Sequence, residues 1–420
     1  MTQMLIGVDW DSTGYEVCVT DAEGEIKKEF RIEHSAKGLG DFVERLLSDA
    51  TGEVERIAVG IETPRGALVE LLLERQIPVY AINPKQLDRL RDRHSVAGAK
   101  DDARDAYVLA DSLRNDRHLF HRVEVDHALV IELREVVRAD EDLGQEVNRL
   151  SNRVREQLHR THPHLLKLSG SALDPWFWEL VEALMVTGSK VGRGAVQKLL
   201  RKYRIRRVQA DEVLAIVGQP ALPVAPGTLK GVRVQLQLLL PRLRLAHAQR
   251  TECSKRMKAL LTQYTLERPE GKAREHSTAE ILCSLPGVGV RVCSALLSEG
   301  SHQLKSEHPA ALLRSYGGVA PVTRRSGKRI LVVRRYACNQ RLQQALFHWA
   351  RTSLQADALA RAYYASLRAR GHSHGRALRA VADRWLRILD AMLKTGTLYE
   401  ATRLKQIPQK VVESPASMAA

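Results

Sequence analysis

The segment MLIGVDWDSTGYEVCVTDAEGEIKKEFRI, residues 4–32, contains three strand-like stretches, at residues 4–10, 15–20 and 25–32. The turn-forming residues Asp21–Gly24 separate the second stretch from the third. Short runs of β-branched and aromatic residues divided by turn residues are typical of consecutive antiparallel strands. We therefore expect a three-stranded meander at the start of the chain.

Helix and strand patterns alternate after this meander. Apolar spacing predicts helices at residues 36–47, 66–75, 84–93 and 103–114, and buried strands at residues 56–61 and 78–82. The resulting order, β-β-β-α-β-α-β-α, is that of an RNase H-like fold, although periodicity alone also permits other α/β folds. The N-terminal region is thus predicted to be an α/β domain of RNase H-like class.

Two long helices are predicted downstream, at residues 126–166 and 232–264. The first has apolar residues close to a heptad spacing, at Ile131, Val136, Leu143, Val147, Leu150, Val154 and Leu158. The two helices can form an antiparallel coiled coil that joins two chains, or a helical hairpin within one chain, and the pattern leaves both alternatives open. A helical insert, residues 174–226, separates them and ends in the proline-rich sequence QPALPVAPG.

The last part of the chain is predicted to be mainly helical, with one strand-like interruption at residues 329–333. The predicted domains are a catalytic α/β domain at residues 1–120, a coiled-coil or helical linker with a basic insert at 121–270, and a basic C-terminal domain at 277–404. Residues 405–420 are polar and small, and we expect this tail to be disordered.

The charge is unevenly distributed. The 420 residues carry a net charge of +16, yet residues 1–110 contain 14 basic and 21 acidic side chains, whereas residues 311–411 contain 20 basic and only 4 acidic ones. A strongly basic region favours a polyanionic partner, with nucleic acid as the first candidate. An acidic region beside it can supply carboxylates for a metal ion.

Cysteine usage and hydropathy indicate the cellular compartment in which the protein acts. The five cysteines are scattered and lack the CxxC spacing, which argues against a disulfide framework and against a zinc site. No apolar run reaches the ~18 residues of a membrane span, and the N-terminus lacks the features of a signal peptide. We therefore expect a soluble cytoplasmic protein with no membrane partner.

Four carboxylates are predicted to converge on one site. Asp9 lies near the end of the first strand, Glu62 ends the fourth, and Asp102 and Asp105 begin the helix that follows. Each acid alone is more often a turn or capping residue, and this is how we interpret the nearby Asp101 and Asp11. As a set, the four would repel one another without a cation, and their hard oxygen atoms select Mg²⁺ or Mn²⁺. Two such ions can hold the attacking and leaving oxygens of a phosphodiester.

Two motifs in the C-terminal region point to phosphate. In LPGVG, residues 285–289, Gly287 and Gly289 fit either a helix-hairpin-helix turn with amides that contact phosphate or a plain tight turn between helices. Ser326 precedes Gly327 in a predicted loop, and such a serine is usually only a turn residue. Basic side chains that can hold a phosphate surround it, at Arg324, Arg325, Lys328, Arg329, Arg334 and Arg335.

An ordered set of motifs resembles the transposases of the insertion sequence 110 family. These are GVDWDSTGYEVCV, IETP, INPKQLDRLRDRHSVAGAKDDARDAYVLAD, LPGVG and YGGVAPVTRRSGKR, which span most of the chain from residue 4 to about residue 354. The resemblance implies a RuvC-like DEDD domain joined through a coiled coil to a transposase domain with a catalytic serine. By matching positions, Asp9, Glu62, Asp102 and Asp105 are the DEDD residues and Ser326 is the serine nucleophile.

The resemblance also implies function and partners. It predicts a recombinase that cuts and rejoins donor and target double-stranded DNA through a serine–DNA linkage, guided by a structured noncoding RNA of the element, as a homo-oligomer that is a dimer or, on DNA, a tetramer. The family usually has Thr after the Lys of its KTDxxDA pattern, and Asp101 stands there in this chain. Two alternatives are a RuvC-like Holliday-junction endonuclease that uses metal-activated water and a non-catalytic nucleic-acid-binding scaffold.

Overall fold

The chain forms two compact units, residues 1–126 and 127–420. The structure is a computed structural model that describes residues 3–11, 13–93, 101–124, 126–189, 191–268, 275–327 and 329–401. The predicted disordered tail, residues 405–420, therefore lies outside the described residues, as does Lys328.

Unit 1 is built on a six-stranded mixed sheet. Its strands are β1 (Met4–Trp10), β2 (Gly14–Thr20), β3 (Ile26–Glu33), β4 (Ile57–Ile61), β5 (Val79–Ala81) and β6 (His121–Arg122). Their spatial order is β3-β2-β1-β4-β5-β6, with β4 parallel to β1 and β5 parallel to β4. The first three strands pair antiparallel, which confirms the predicted meander.

The turn between β2 and β3 forms for the reason that the sequence suggests. The Asp21 carboxylate accepts a hydrogen bond from the backbone amide of Glu25 at 2.9 Å, and Gly24 adopts a positive φ of 92°. Asp side chains commonly close turns in this way, and glycine tolerates the left-handed backbone. The two-residue strand β6, which antiparallel pairing adds beside β5, is too short to have been predicted.

Helices cover both faces of this sheet. They are α1 (Ala36–Asp49), α2 (Ala67–Glu74), α3 (Pro84–Arg91) and α4 (Asp102–Asp116). Ile6 and Val8 of β1 belong to the core that includes the buried face of α1. Successive strand residues point to opposite faces, so Leu5, Gly7 and Asp9 point to the other face, against which α4 packs.

Helix α4 approaches the sheet at two glycines. Gly7 of β1 and Gly60 of β4 lie opposite each other in the parallel register. A Cβ atom added to Gly7 would lie 1.8 Å from the carbonyl oxygen of Ala106, and one added to Gly60 would lie 3.2 Å from that of Leu109. Only the missing side chains allow the helix backbone to come this close.

Unit 2 is mainly helical. Its helices are α5 (Ala128–Thr161), α6 (Pro175–Val181), α7 (Arg193–Lys202), α8 (Ala210–Val217), α9 (Pro226–Glu267), α10 (Thr278–Ser284), α11 (Val290–Glu299), α12 (Ser301–Lys305), α13 (Pro309–Tyr316), α14 (Gln340–Ala356), α15 (Ala358–Ala369) and α16 (His374–Thr395). A separate two-stranded hairpin consists of β7 (Val322–Ser326) and β8 (Arg329–Val333).

The long helices α5 and α9 pair antiparallel within the chain. Glu132, near the start of α5, accepts a hydrogen bond from Arg256 Nε at 2.8 Å, and Glu146, further along α5, lies 3.8 Å from Arg242. Residue numbers thus rise on one helix as they fall on the other. The structure forms the intramolecular hairpin, which is one of the two arrangements that the sequence left open.

Two hydrophobic cores lie at opposite ends of this helix pair. One contains Val147–Leu158 of α5, Val232–Ala246 of α9 and the inserted helices α6–α8. The other contains the first turns of α5, the last turns of α9 and the C-terminal helices from α10 onward. Across the described ranges of both units, no helix has the length and apolar character that crossing a bilayer requires.

Gly7→Ala should destabilise unit 1 by about 3 kcal/mol, because the new methyl group would collide with helix backbone rather than with a movable side chain. Gly40→Ala in α1 is the matched control. Its Cβ meets nothing within 4 Å, and replacing a helical glycine stabilises by about 0.4–1 kcal/mol. Urea unfolding followed by circular dichroism measures both, and equal midpoints for the two variants would contradict the assignment.

Candidate active site

Asp9 lies where β1 emerges from beneath α4. Asp9 is only 7% exposed. Because side chains alternate between the two faces of a strand, Asp9 lies on the same face of the sheet as Gly7. The close approach of α4 at Gly7 therefore brings the start of that helix toward the Asp9 carboxylate.

The other three predicted acids lie on the two elements next to β1, at the end of β4 and at the start of α4. Val8 and Ile61 are paired in the register, and Asp9 and Glu62 are the next residues along their chains. Asp102 and Asp105 both lie in the first turn of α4, where residues three apart share a helix face. Asp105 is 1% exposed.

The pKa of Asp9 is raised by its burial and by the charges of the other three carboxylates. Burial is the main cause that raises it, to about 6, and repulsion from Asp105 is the next. The charges of Asp102 and Glu62 raise the pKa further, against a hydrogen bond from the backbone of Trp10. The charges of all three other carboxylates thus act on Asp9.

Arg91, at the end of α3, is a member of the cluster that sequence reasoning missed. Its Nε and Nη2 atoms donate to the two carboxylate oxygens of Asp105 at 2.5 and 2.7 Å. The hydrogen bonds to Asp105 raise the pKa of Arg91, with smaller contributions from the charges of Asp88 and Glu62. Nothing in a spacing of 14 residues identifies this partner, because tertiary packing creates the pair.

The donor atoms fit a hard divalent cation, since all four groups are carboxylates, two of them buried and two partly exposed. Among the described residues, no group of three or more His, Cys, Asp or Glu side chains is already arranged to hold a metal ion. Asp105 instead directs both oxygens to Arg91. A cation that Asp105 binds through both oxygens would have to replace that guanidinium.

The two nearby acids interpreted as structural have separate surroundings. Asp11 accepts hydrogen bonds from the backbone amides of Thr13 and Gly14 and pairs with Arg31, and the amide of Thr13 is the main cause that lowers its pKa. Asp101 stands at the N-cap position of α4, but its side chain makes no capping hydrogen bond. Its backbone carbonyl accepts the first helical bond, from Asp105.

The LPGVG segment forms a turn between α10 and α11 that is packed against α14. Trp349 Nε1 donates to the carbonyl of Pro286 at 3.1 Å, and Thr352 Oγ1 donates to that of Gly287 at 2.8 Å. Gly287 has a φ of 80°, and a Cβ there would lie 2.5 Å from the backbone nitrogen of Ser353. Packing alone therefore accounts for Gly287, whereas Gly289 faces open space at the N-cap of α11.

Ser326 ends strand β7 and pairs with Arg329, so it belongs to a hairpin rather than to the loop we expected. Four of the five residues of Val322–Ser326 are exposed, so the segment has no alternation of apolar and polar residues from which a strand could be predicted. Gly327 follows with a φ of 56°, a backbone that suits a tight hairpin turn. Ser326, Arg324, Arg325 and Arg329 are all exposed.

Further arginines crowd the base of this hairpin. Arg334 donates to Gln343 Oε1 at 2.9 Å, and Arg335 donates to the carbonyl of Ala320 at 3.3 Å. Burial, followed by the charges of Arg334 and Arg376, lowers the pKa of Arg379. Arg376 and Arg379 lie on α16 and extend the basic surface beyond the residues singled out from sequence.

Arg91→Ala should lower the free energy of unfolding by about 2 to 3 kcal/mol, because it leaves the buried Asp105 carboxylate without a partner. The double variant Arg91→Ala with Asp105→Asn should recover much of this loss, since residue 105 then carries no unpaired charge. Urea unfolding in EDTA at pH 7 measures both. Equal losses in the single and double variants would show that the ion pair contributes nothing.

Comparison with known proteins identifies the family. A family model described as "Transposase", whose name contains DEDD and IS110, matches residues 6–163. A second, described as "Transposase IS116/IS110/IS902 family", matches residues 279–365. The first covers the carboxylate cluster, and the second covers the LPGVG turn and the hairpin with Ser326.

Three relatives agree with these models. The putative transposase y4uE of Sinorhizobium fredii is 44% identical over 231 residues, which are 54% of this chain and 62% of that protein. The mini-circle putative transposase for IS117 of Streptomyces coelicolor is 29% identical over 409 residues, or 95% and 96% of the two chains. The IS110 43.6 kDa protein of the same organism is 33% identical over 72% and 73% of the two chains. The chain therefore belongs to the IS110 family of transposases.

Proposed function

We propose that this chain is the DNA recombinase of its mobile element, which cuts and rejoins DNA with Ser326 as nucleophile and with a divalent metal ion at the four carboxylates. The observation that carries the proposal is the buried Asp9 carboxylate, on which the charges of three further carboxylates act. Placing two buried acids, Asp9 and Asp105, beside the partly exposed Glu62 and Asp102 is unfavourable without a cation, so a fold that does so has a use for them.

The arrangement of unit 1 supports an RNase H-like fold of the RuvC-like kind. The antiparallel meander is followed by two parallel strands, in the spatial order β3-β2-β1-β4-β5. The acids lie at the ends of the two central neighbours, β1 and β4, and on the helix that crosses them. This is the topology from which the sequence argument derived their convergence.

Asp9, Glu62, Asp102 and Asp105 are the residues that would hold Mg²⁺ or Mn²⁺. When bound, such ions polarise a phosphodiester and stabilise the charge on its leaving oxygen. Asp105 would exchange its bonds with Arg91 for the ion. The guanidinium then remains beside the cluster as a compensating charge or a phosphate contact.

Ser326 supplies a hydroxyl at the exposed end of the hairpin. In the proposed step its Oγ attacks phosphorus, its proton passes to a carboxylate base, and the bond from phosphorus to the leaving oxygen breaks. A serine–phosphate ester and a free DNA hydroxyl result. Arg324, Arg325 and Arg329 lie within three residues of Ser326, so they can hold the phosphate that it attacks.

The basic C-terminal region suits double-stranded DNA, both donor and target, and a structured guide RNA. The RNA and the homo-oligomeric state rest on the family resemblance. We propose that α5 and α9, although paired within the chain, present their outer faces to a second subunit. We place the protein in the cytoplasm, at the nucleoid, where it would meet DNA, the guide RNA and further subunits.

Asp105→Asn should reduce Mn²⁺ binding and bring DNA cleavage below detection, while DNA binding persists, because phosphate contacts come mainly from the basic region. Titration calorimetry with Mn²⁺ alone, a strand-cleavage assay and gel shifts measure the three effects. EDTA should abolish cleavage by the wild-type protein.

Asp116→Asn is the matched control for this experiment. Asp116 ends the same helix, α4, but pairs with Arg93 at 2.5 Å. Its variant should bind the ion and cut DNA like the wild type. Undiminished cleavage by Asp105→Asn, or in EDTA, would refute the metal site.

Ser326→Ala should abolish the covalent protein–DNA adduct, because it removes the attacking oxygen. Denaturing gels of labelled DNA detect the adduct, and Thr323→Ala, an exposed hydroxyl on the same strand, is the control that should still form it. An adduct that persists in Ser326→Ala would refute the nucleophile. Cleavage without any adduct in both proteins would instead favour the Holliday-junction endonuclease that uses water.

A mixture of Ser326→Ala and Asp105→Asn proteins extends the same assay. Each variant alone should be inactive. Recovery of recombination in the mixture would show that one subunit supplies the serine and another the carboxylates. Absence of recovery would be compatible with delivery of the serine within one chain.

A further inference from the structure

Two cysteines lie in contact on either side of the LPGVG turn. Cys283 is in α10 and Cys293 is in α11, and their Sγ atoms are 3.1 Å apart. They are ten residues apart in sequence, outside the CxxC spacing that the sequence analysis considered. The turn between them brings the two thiols together.

The two thiols differ in access to solvent. Cys283 is exposed, whereas Cys293 is fully buried. The hydrogen bond between them lowers the pKa of Cys283, and together with burial it raises the pKa of Cys293 well above its ordinary value. An accessible thiol with a lowered pKa beside a buried partner is the arrangement of an attacking and a resolving cysteine.

The other three cysteines lack this combination. Cys18 is buried, and burial raises its pKa to about 12. Cys253 and Cys338 are partly buried, and burial raises the pKa of each. Of the five cysteines, all of which lie in the described ranges, Cys283 is the one that is an exposed residue and has a lowered pKa.

We propose that Cys283 and Cys293 form a peroxide-sensitive thiol pair that closes to a disulfide across the LPGVG turn. The sulfur atoms need to approach by only about 1 Å to reach the length of a disulfide bond. The two helices already contact each other through this pair, so closure requires no rearrangement of α14, on which the turn is packed.

The chemistry is balanced with hydrogen peroxide as the oxidant. The Cys283 thiolate attacks one peroxide oxygen, the O–O bond breaks, and a sulfenic acid and one water form once a proton is taken up. Cys293 then attacks the Cys283 sulfur and releases its proton, and the hydroxyl leaves as a second water. The pair loses two electrons, and a dithiol reductant restores both thiols.

The test exposes the full-length protein to hydrogen peroxide and then maps its disulfides by mass spectrometry without reduction. We expect a loss of two titratable thiols per chain and a peptide that links residue 283 to residue 293, both reversed by dithiothreitol. In Cys293→Ser, oxidation should stop at the sulfenic acid of Cys283, which dimedone labels. Cys338→Ser is the control that should still form the linked peptide.

Because Cys293 is in the core, its substitution can disturb folding, and Cys283→Ser provides an independent arm. Because Cys283 is exposed, we expect the Cys283→Ser variant to fold. The variant should form no linked peptide, and Cys293 should remain unlabelled. The proposal is overturned if peroxide oxidises Cys338 or Cys253 while residues 283 and 293 stay reduced. It is also overturned if Cys283→Ser loses no fewer thiols than the wild type.

Discussion

The contact between helix α4 and the central strands is the constraint on which the carboxylate cluster depends. Gly7 and Gly60 face each other across two parallel strands, and backbone rather than side chain fills the space above Gly7. A helix seated this low presents its first turn at the end of the strands, where Asp9 lies. The position of the α4 acids therefore depends on the absence of a side chain at Gly7, since a methyl group there would push α4 away from the sheet.

The paired helices α5 and α9 play the corresponding part in unit 2. They carry one core at each end, and a buried charge separates the two. Asp140 is 6% exposed and lies 2.9 Å from Arg291 and 3.4 Å from Arg250. An apolar seam alone tolerates sliding by a turn, whereas a buried carboxylate that must meet its two arginines does not. We interpret this ion cluster as the element that fixes the register of the pair.

Sequence periodicity predicted the strands and helices of unit 1 because its core follows simple periods: β4 is apolar throughout, and α1 has one apolar face. It also placed the four acids, since strand ends and a first helical turn are local features. Arg91, the Cys283–Cys293 pair and the packing of Gly287 on α14 were missed, because each joins residues that only tertiary structure brings together. Strand β7 was missed for a different reason: it buries almost nothing, so it has no apolar alternation to detect.

The hairpin β7–β8 has a consequence for fidelity. Ile330, Leu331 and Val332 are exposed on a ribbon of only two short strands, and such ribbons are marginally stable in water by themselves. Under the function proposed above, a nucleic acid that covers this apolar strand would stabilise the ribbon and hold Ser326 in one conformation. A DNA or RNA that fits the surface poorly would stabilise the ribbon less, so both its affinity and the alignment of the hydroxyl would fall. Binding would then select the correct partner twice, through residence time and through reactivity.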